Sequence, residues 1–495
     1  MARRAQIDPL DRPFFELIAR TTACNPFSEE RSELDAKIVG HPVQMFTEAH
    51  LDEVTNVASQ RVCKLEEKGL ADLRRYPEKD RQLMQTVFLF AIFHQFCRPF
   101  DALILDQVKM GPESASVKFA SEALARIQNH GFSAAQAERF FSIFYQLRRG
   151  YYFIFRSLTG NSRCMRELRR HLWQNVFTQE VHLYEHYLWN RMEDFSTLLL
   201  GETGAGKGAA AAAIGRSGYI PFDPKHGRFA ESFMRSFIAL NLSQFPETLI
   251  ESELFGHRKG AFTGAVEAHE GLLARCSAHG AIFLDEIGEV SGPIQIKLLQ
   301  VLQERMFCPV GSHEPVRFRG RVIAATNRPV EISNGRKVFR DDFYYRLCSD
   351  VIHVPPLRLR LQQEPNELRE LVDHLLTGML GTPVPQLVGR IEGAIRTAVG
   401  SGYCWPGNVR ELEQAIRRIL LTGTYVSSNR SQSATLRDQL LAGIDNEQFT
   451  ADTLLANYCR LLHETLGTYG AVARRTELDR RTVKKYLQAG AAKVG

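Results

Sequence analysis

The chain has 495 residues, 44% of them hydrophobic and 24% charged, with a formal net charge of +6. That length exceeds what one hydrophobic core serves, so two to four domains are expected, and the composition is ordinary for a soluble globular protein. Nine cysteines are scattered from Cys24 to Cys459 without a CxxC pair, which reads as reduced thiols in the cytoplasm rather than a disulfide framework. The N-terminus lacks the uninterrupted apolar core of a secretory signal, and the most apolar run, Val87–Phe93, is too short to span a bilayer. No membrane is expected as a partner.

Residues 1–155 carry helical periodicity with few turn signals, as in Met45–Arg75 and Asp80–Val108. His94 and Cys97 have metal-like spacing, but no second pair stands near them in sequence, and they read as an ordinary helix face. The aromatic run Phe140, Phe141, Phe144, Tyr145, Tyr151, Tyr152, Phe153 and Phe155 reads as buried helix packing in preference to a ligand pocket. From 156 to about 360, apolar β-rich runs alternate with helical segments, the pattern of a parallel sheet flanked by helices in an α/β fold. The clearest strands are Thr197–Leu200, Phe237–Leu240, Ala281–Leu284 and Arg321–Ala325. Residues 361–425 are again helical, interrupted by the turn Trp405-Pro406-Gly407-Asn408. Residues 426–450, with the polar run Ser427–Ser433, read as a linker, and 451–495 as a short helical unit.

Leu198-Leu199-Leu200 runs into Gly201, Glu202, Thr203, Gly204, Ala205, Gly206 and Lys207, followed by an alanine-rich helix. Strand, glycine loop and helix is the context of a phosphate-binding loop. Glycines let backbone N–H groups face phosphate oxygens, the helix N-terminus adds partial positive charge, and Lys207 would reach the β- and γ-phosphates. Position 208 is Gly, so no hydroxyl is available there to hold Mg2+. A second strand, Ala281–Leu284, ends in Asp285 and Glu286, where open α/β sheets place their ligands. Asp285 is expected to hold the metal and Glu286 to polarise the attacking water, so the pair of motifs implies ATP binding and hydrolysis.

Glu251–Ala265 then carries Gly260-Ala261-Phe262-Thr263-Gly264-Ala265, preceded by the basic approach His257-Arg258-Lys259. Small residues around one Phe and one Thr make a mobile tip with a single aromatic handle. This stretch resembles the signature of bacterial enhancer-binding proteins, the AAA+ ATPases that activate transcription by sigma-54 RNA polymerase. The resemblance runs from Thr159-Gly160-Asn161-Ser162 to the C-terminus. It implies an AAA+ P-loop NTPase core with a helical lid, and residues 260–265 as the sigma-54 contact. It further implies Asn241 as the switch partner of Glu286, Asn327 as the first sensor and Arg410 as the second. Arg340 and Arg346 match arginine fingers that act on a neighbouring subunit's nucleotide, which implies a ring, usually a hexamer. Three departures stand out: Gly208, where the family usually has Glu; the longer, more aromatic segment Gln174–Arg191; and Leu359-Arg360-Leu361-Gln362-Gln363 in place of an acidic continuation.

At the C-terminus, Ala451–Leu466 reads as one helix and Gly470–Leu478 as a second. Asp479 is placed to cap a third over Arg480–Leu487, with Val472, Leu478, Val483 and Leu487 packing the short helices together. The basic set Arg474, Arg475, Arg480, Arg481, Lys484 and Lys485, with Thr482, suits phosphate and base contacts. The unit resembles the family's Fis-type helix-turn-helix.

The reading as a whole is a cytoplasmic, sigma-54-dependent activator. It binds enhancer DNA, assembles as a ring and uses ATP with Mg2+ to remodel the sigma-54 holoenzyme. An AAA+ remodeller without a promoter role accounts for the ATP site but not for 260–265. A DNA-binding repressor with a degenerate ATPase is opposed by the retained Lys207, Asp285, Glu286, Arg340 and Arg346. Residues 1–155 lack the alternating β/α pattern and clustered acids of a receiver domain, and are expected to form a helical sensory or regulatory domain.

Overall fold

The structure is a computed structural model that describes residues 5–42, 48–328, 338–400, 402–425, 436–445 and 449–489. The chain divides into two compact units, one of residues 1–393 with 402–417, the other of 394–401 with 418–495. The expected polar linker at 427–433 lies outside the described residues.

The first unit opens with α-helices: α1 (Arg12–Ala23), α2 (Glu29–Val39), α3 (Glu48–Glu67), α4 (Glu78–Gln95), α5 (Cys97–Met110), α6 (Ala120–Asn129), α7 (Ala134–Arg156) and α8 (Arg163–Phe177). The expected helical character of residues 1–155 is thus what the structure has. α7 starts where Ser133 and Gln136 form a capping box, each side chain bonding the other's backbone N–H. Phe140, Phe141, Phe144 and Tyr145 recur at helical spacing and are buried. α4 packs on α1, α3 and α6, while α7 packs on α5, α6 and α8. Among the described residues no single helix is long and apolar enough to cross a bilayer; α4 and α5 together pass that test but are bent by 53°.

A five-stranded parallel sheet follows, of β1 (Thr197–Leu200), β2 (Phe237–Asn241), β3 (Ala281–Asp285), β4 (Arg321–Thr326) and β5 (Asp350–His353), in spatial order β2-β3-β4-β1-β5. The four strands expected from sequence are four of these five. Alternation sends Leu198, Ile282, Leu284, Val322 and Ala324 to one core, and Leu199, Ala281, Phe283, Ile323 and Ala325 to another. Burial on both faces is why these strands read as unbroken apolar runs. The second of those cores is continuous with the N-terminal helices: Tyr145 stacks on Phe229 at 4.0 Å, and Phe141 meets Phe222 edge-on at 4.9 Å. The boundary read at residue 155 falls in the last turn of α7, whose flank rests on the region of the parallel sheet.

α9 (Lys207–Gly215) follows β1, α10 (Glu247–Phe255) precedes the 260–265 loop, and α11 (Gly292–Glu304) and α12 (Asp341–Leu347) cover one side of the sheet. The helical region after β5 comprises α13 (Leu357–Gln363), α14 (Glu367–Leu380), α15 (Pro385–Val399) and α16 (Asn408–Thr422). It closes back on the domain entry: the buried Arg360–Glu367 pair, at 2.6 Å, also bonds Thr159 O and Ser162 N. A Cβ on Gly160 would lie 2.1 Å from Glu367 Oε1, so only glycine fits there.

In the second unit, α17 (Leu436–Asp445) occupies part of the stretch read as linker. Leu436, Leu440, Leu441 and Ile444 carry the helical spacing that the polar run upstream obscured. α18 (Ala451–Leu466), α19 (Tyr469–Thr476) and α20 (Arg480–Ala489) follow, close to their expected bounds.

Candidate nucleotide site, exposed loop and basic helices

The glycine loop leaves β1 at the carboxyl edge of the sheet, where the chain order reverses and a ligand crevice opens. Gly204 (φ 78°) and Gly206 (φ 110°) adopt left-handed backbone, which turns the loop into the N-terminus of α9. At Gly204 the constraint is also steric: a Cβ would stand 2.3 Å from Gly407 O. Lys207 is buried, and its Nζ donates to Gly201 O at 2.9 Å and Glu202 O at 3.2 Å. Burial lowers its pKa, against the opposing charges of Glu286 and Asp285, while Arg410 adds to the lowering. Lys207, the acidic pair and Arg410 therefore share one electrostatic neighbourhood.

The loop is clamped by residues that sequence reading did not single out as functional. Arg358 makes a bidentate pair with Glu202 at 2.8 and 2.6 Å and holds the Glu202 carboxyl below its usual range. Asn408, fully buried with φ 52°, donates to Glu202 Oε2 and Thr203 O at 3.1 Å each and accepts from Leu357 N at 2.8 Å. Val409 N completes the contact on Gly204 O at 3.1 Å. The Trp405–Asn408 turn was visible only as a turn; a polar residue able to take left-handed backbone was its one further signal.

Asp285 closes β3 opposite Asn241 on β2. Glu286 follows in left-handed backbone (φ 56°, ψ 45°), a conformation uncommon for a non-glycine residue and typical of functional turns. Its N–H donates to Asp285 Oδ1 at 3.1 Å. The Asn241 side chain accepts from Ser243 N and Ser243 Oγ, and no hydrogen bond among the described residues joins it to Glu286. Asn327 reaches across from the end of β4, its Nδ2 donating to Thr203 Oγ1 at 3.0 Å. Gly208 has open space around it: a Cβ there would meet only Phe283, at 4.0 Å. The donors fit a hydrated Mg2+, which takes one or two carboxylates, waters and substrate phosphates.

Arg340 and Arg346 lie elsewhere. Arg340 precedes α12 and pairs with Asp342 at 2.8 Å; Arg346 donates through Nε to Leu302 O at 3.1 Å. Both are exposed, and among the described residues no hydrogen bond or ion pair ties either to the glycine loop.

The Gly260–Ala265 loop is the tip of a hairpin pinned at its base, where His257 and His269 exchange backbone hydrogen bonds of 3.0 and 2.9 Å. Gly260 N donates to Ala265 O at 2.8 Å, and Ala265 itself is buried. Gly260 and Gly264 take positive φ, yet a Cβ on either would meet nothing within 4 Å. Phe262 is 40% exposed and rests edge-on against His257; Thr263 is exposed. Arg258 pairs with Glu314, so the basic approach is partly neutralised.

In the second unit, Val472, Val483 and Cys459 form a small core joined by Leu478 and Leu487. Thr468 caps α19, and Asp479 Oδ1 accepts from Arg481 N at 2.7 Å at the start of α20, as expected of a cap. Arg474, Arg475, Arg480, Arg481, Lys484 and Lys485 are all exposed, and Thr482 is half-buried.

Comparison with known proteins adds what the central region is similar to. Residues 177–353 match the Sigma-54 interaction domain. A Nif-specific regulatory protein of Azotobacter vinelandii is 42% identical over 261 residues, 52% of this chain and 44% of that protein. The transcriptional regulatory protein ZraR of Salmonella typhimurium (strain LT2) is 36% identical over 295 residues, 59% of this chain and 62% of ZraR. The chain thus spans about half the length of the curated relatives it matches. A solved structure of NtrX from Brucella abortus in complex with ATP aligns over 74% of this chain and 80% of its own at 21% identity, with a TM-score of 0.39. Residues 177–353 of the chain thus carry a Sigma-54 interaction domain, and the chain is similar across that region to these regulatory proteins.

Proposed function

We propose that this protein binds ATP with Mg2+ at Gly201–Gly208 and couples its hydrolysis to remodelling of the sigma-54 RNA polymerase holoenzyme through Gly260–Ala265. The observation that carries the reading is an exposed Phe262–Thr263 tip on the same domain as Lys207, Asp285 and Glu286. In this scheme Lys207 exchanges its two backbone carbonyls for the β- and γ-phosphates. Asp285 would hold Mg2+, which when bound would supply charge neutralisation on the phosphates, and Glu286 orients the attacking water. Asn327, bonded to Thr203, senses the γ-phosphate from the neighbouring strand, with Asn241 as the switch partner of Glu286 and Arg410 as the lid's sensor. Arg340 and Arg346, exposed and away from their own loop, serve the next subunit of a hexameric ring. The exposed basic residues of α19 and α20, with Thr482, hold enhancer DNA, and the setting is the cytoplasm.

Paired variants of the full chain test the scheme. Lys207→Ala is expected to abolish ATP binding in a calorimetric titration, and retained affinity would show that the loop is misassigned. Thr263→Ala is expected to keep ATP hydrolysis and lose sigma-54-dependent promoter opening; a variant still active at promoters would remove the loop from that role.

A further inference from the structure

α7 has two working faces. One closes a cavity of about 560 Å3 bounded by α1, α2, α4, α5 and α8, within the roughly 300–1,000 Å3 range of small-molecule sites. Its apolar walls include Phe90, Phe93, Phe144, Leu147, Tyr151 and Trp173. The aromatic run of α7 is thus shared: Phe140, Phe141, Tyr145 and Phe153 are packing, while Phe144, Tyr151, Tyr152 and Phe155 line the space.

The polar lining limits what fits. Arg31 is paired with Asp35 at 2.8 Å, and Arg148 with Asp101 through two bonds of 2.6 Å. Arg156 and Glu185 complete the charged lining, so guanidinium and carboxylate groups are equal in number and the lining has no net formal charge to favour an ion. His94 also lines the cavity, with Nδ1 2.9 Å from Phe90 O. A carbonyl can only accept, so Nδ1 carries the proton and Nε2 is left as an acceptor. Burial pushes His94 down to about 4, which keeps the ring neutral at physiological pH.

We propose that this cavity binds an uncharged aromatic small molecule that offers one N–H or O–H donor to His94 Nε2. The opposite face of α7 gives binding a route to the nucleotide site. Arg149, fully buried, donates to Arg216 O and Gly218 O at 2.7 Å each, and Gln146 donates to Ser217 O at 2.9 Å. Those carbonyls sit just past the C-terminal end of α9, the helix whose N-terminus is the phosphate loop. A ligand that shifts α7 therefore shifts α9; this regulatory step rests on the ATPase reading above, whereas the binding site does not.

The test uses the full chain and N-phenyl-1-naphthylamine, a neutral fluorescent aromatic with a single N–H. Saturable enhancement of probe emission with quenching of tryptophan emission is expected, at one probe per chain. 1-Naphthol should displace the probe, and 1-naphthoate should not. Leu147→Trp, which fills the space from a half-buried position, should abolish binding. Should that variant melt early, Tyr152→Trp supplies the same obstruction from the helix's half-buried flank. His94→Leu should weaken 1-naphthol by about tenfold, the worth of one hydrogen bond, and leave naphthalene unchanged. No saturable binding, or binding indifferent to both tryptophan variants, overturns the site. Binding with no ATP hydrolysis under any condition would sink the ATPase reading and leave the site standing. Hydrolysis that 1-naphthol does not alter would remove the regulatory step alone.

Discussion

The two glycine-bearing loops of the Sigma-54 interaction domain use glycine for different ends. In Gly201–Lys207 the chain is enclosed: Gly204 lies under Gly407, Glu202 is gripped by Arg358 and Asn408, and Lys207 is bonded to its own loop. In Gly260–Ala265 the glycines take the same left-handed backbone with open space around them, and the hairpin is held at its base. One loop is held at several points by residues from outside it, as suits the proposed meeting with phosphates at fixed positions. The other is determined only where it leaves the domain, as suits a part that works on something outside the chain.

Substitutions at three glycines separate these roles. Gly204→Ala should have the largest effect, because left-handed strain adds to a clash with backbone. A loss of about 3 kcal/mol of stability in urea titration is expected, with ATP binding abolished. Near-normal stability would mean that Gly407 yields and the loop is not enclosed. Gly264→Ala meets no neighbour, so only the backbone term applies: about 1 kcal/mol, with ATP affinity unchanged. A larger loss would contradict the open environment of the tip. Gly208→Ala should act in the opposite direction. Helical backbone with room for a methyl group predicts a gain of about 0.5–1 kcal/mol, read as a raised melting temperature.

Much of this was legible beforehand, for identifiable reasons. β3 and β4 are buried on both faces and so appear as uninterrupted apolar runs, and the cap at Asp479 marks the start of the last helix closely. The glycine loop was legible because its strand, glycine loop and helix follow one another directly in sequence. The clamp around it was not: Glu202, Arg358 and Asn408 are far apart in sequence, and a lone arginine after a strand reads as surface charge. The cavity was hidden for a related reason. Helical spacing shows that Phe144 and Tyr151 face inward, but not whether the space they face is filled. The longer segment Gln174–Arg191 likewise gains its sense only in three dimensions, where Tyr184 OH donates to Gln146 Oε1 at 2.7 Å.

Arg149 carries a consequence for any attempt to cut the molecule apart. Its charge is met by two backbone carbonyls of the Sigma-54 interaction domain and the face of Tyr145. Phe222, Phe229 and Phe233 lie against aromatic rings of the same helix. A polypeptide beginning after Arg156 would keep those rings and carbonyls but lose the helix that packs against them. The helical region and the Sigma-54 interaction domain should accordingly melt in a single cooperative transition. Proteolysis between them would then yield an unroofed, aggregation-prone core rather than a liberated enzyme.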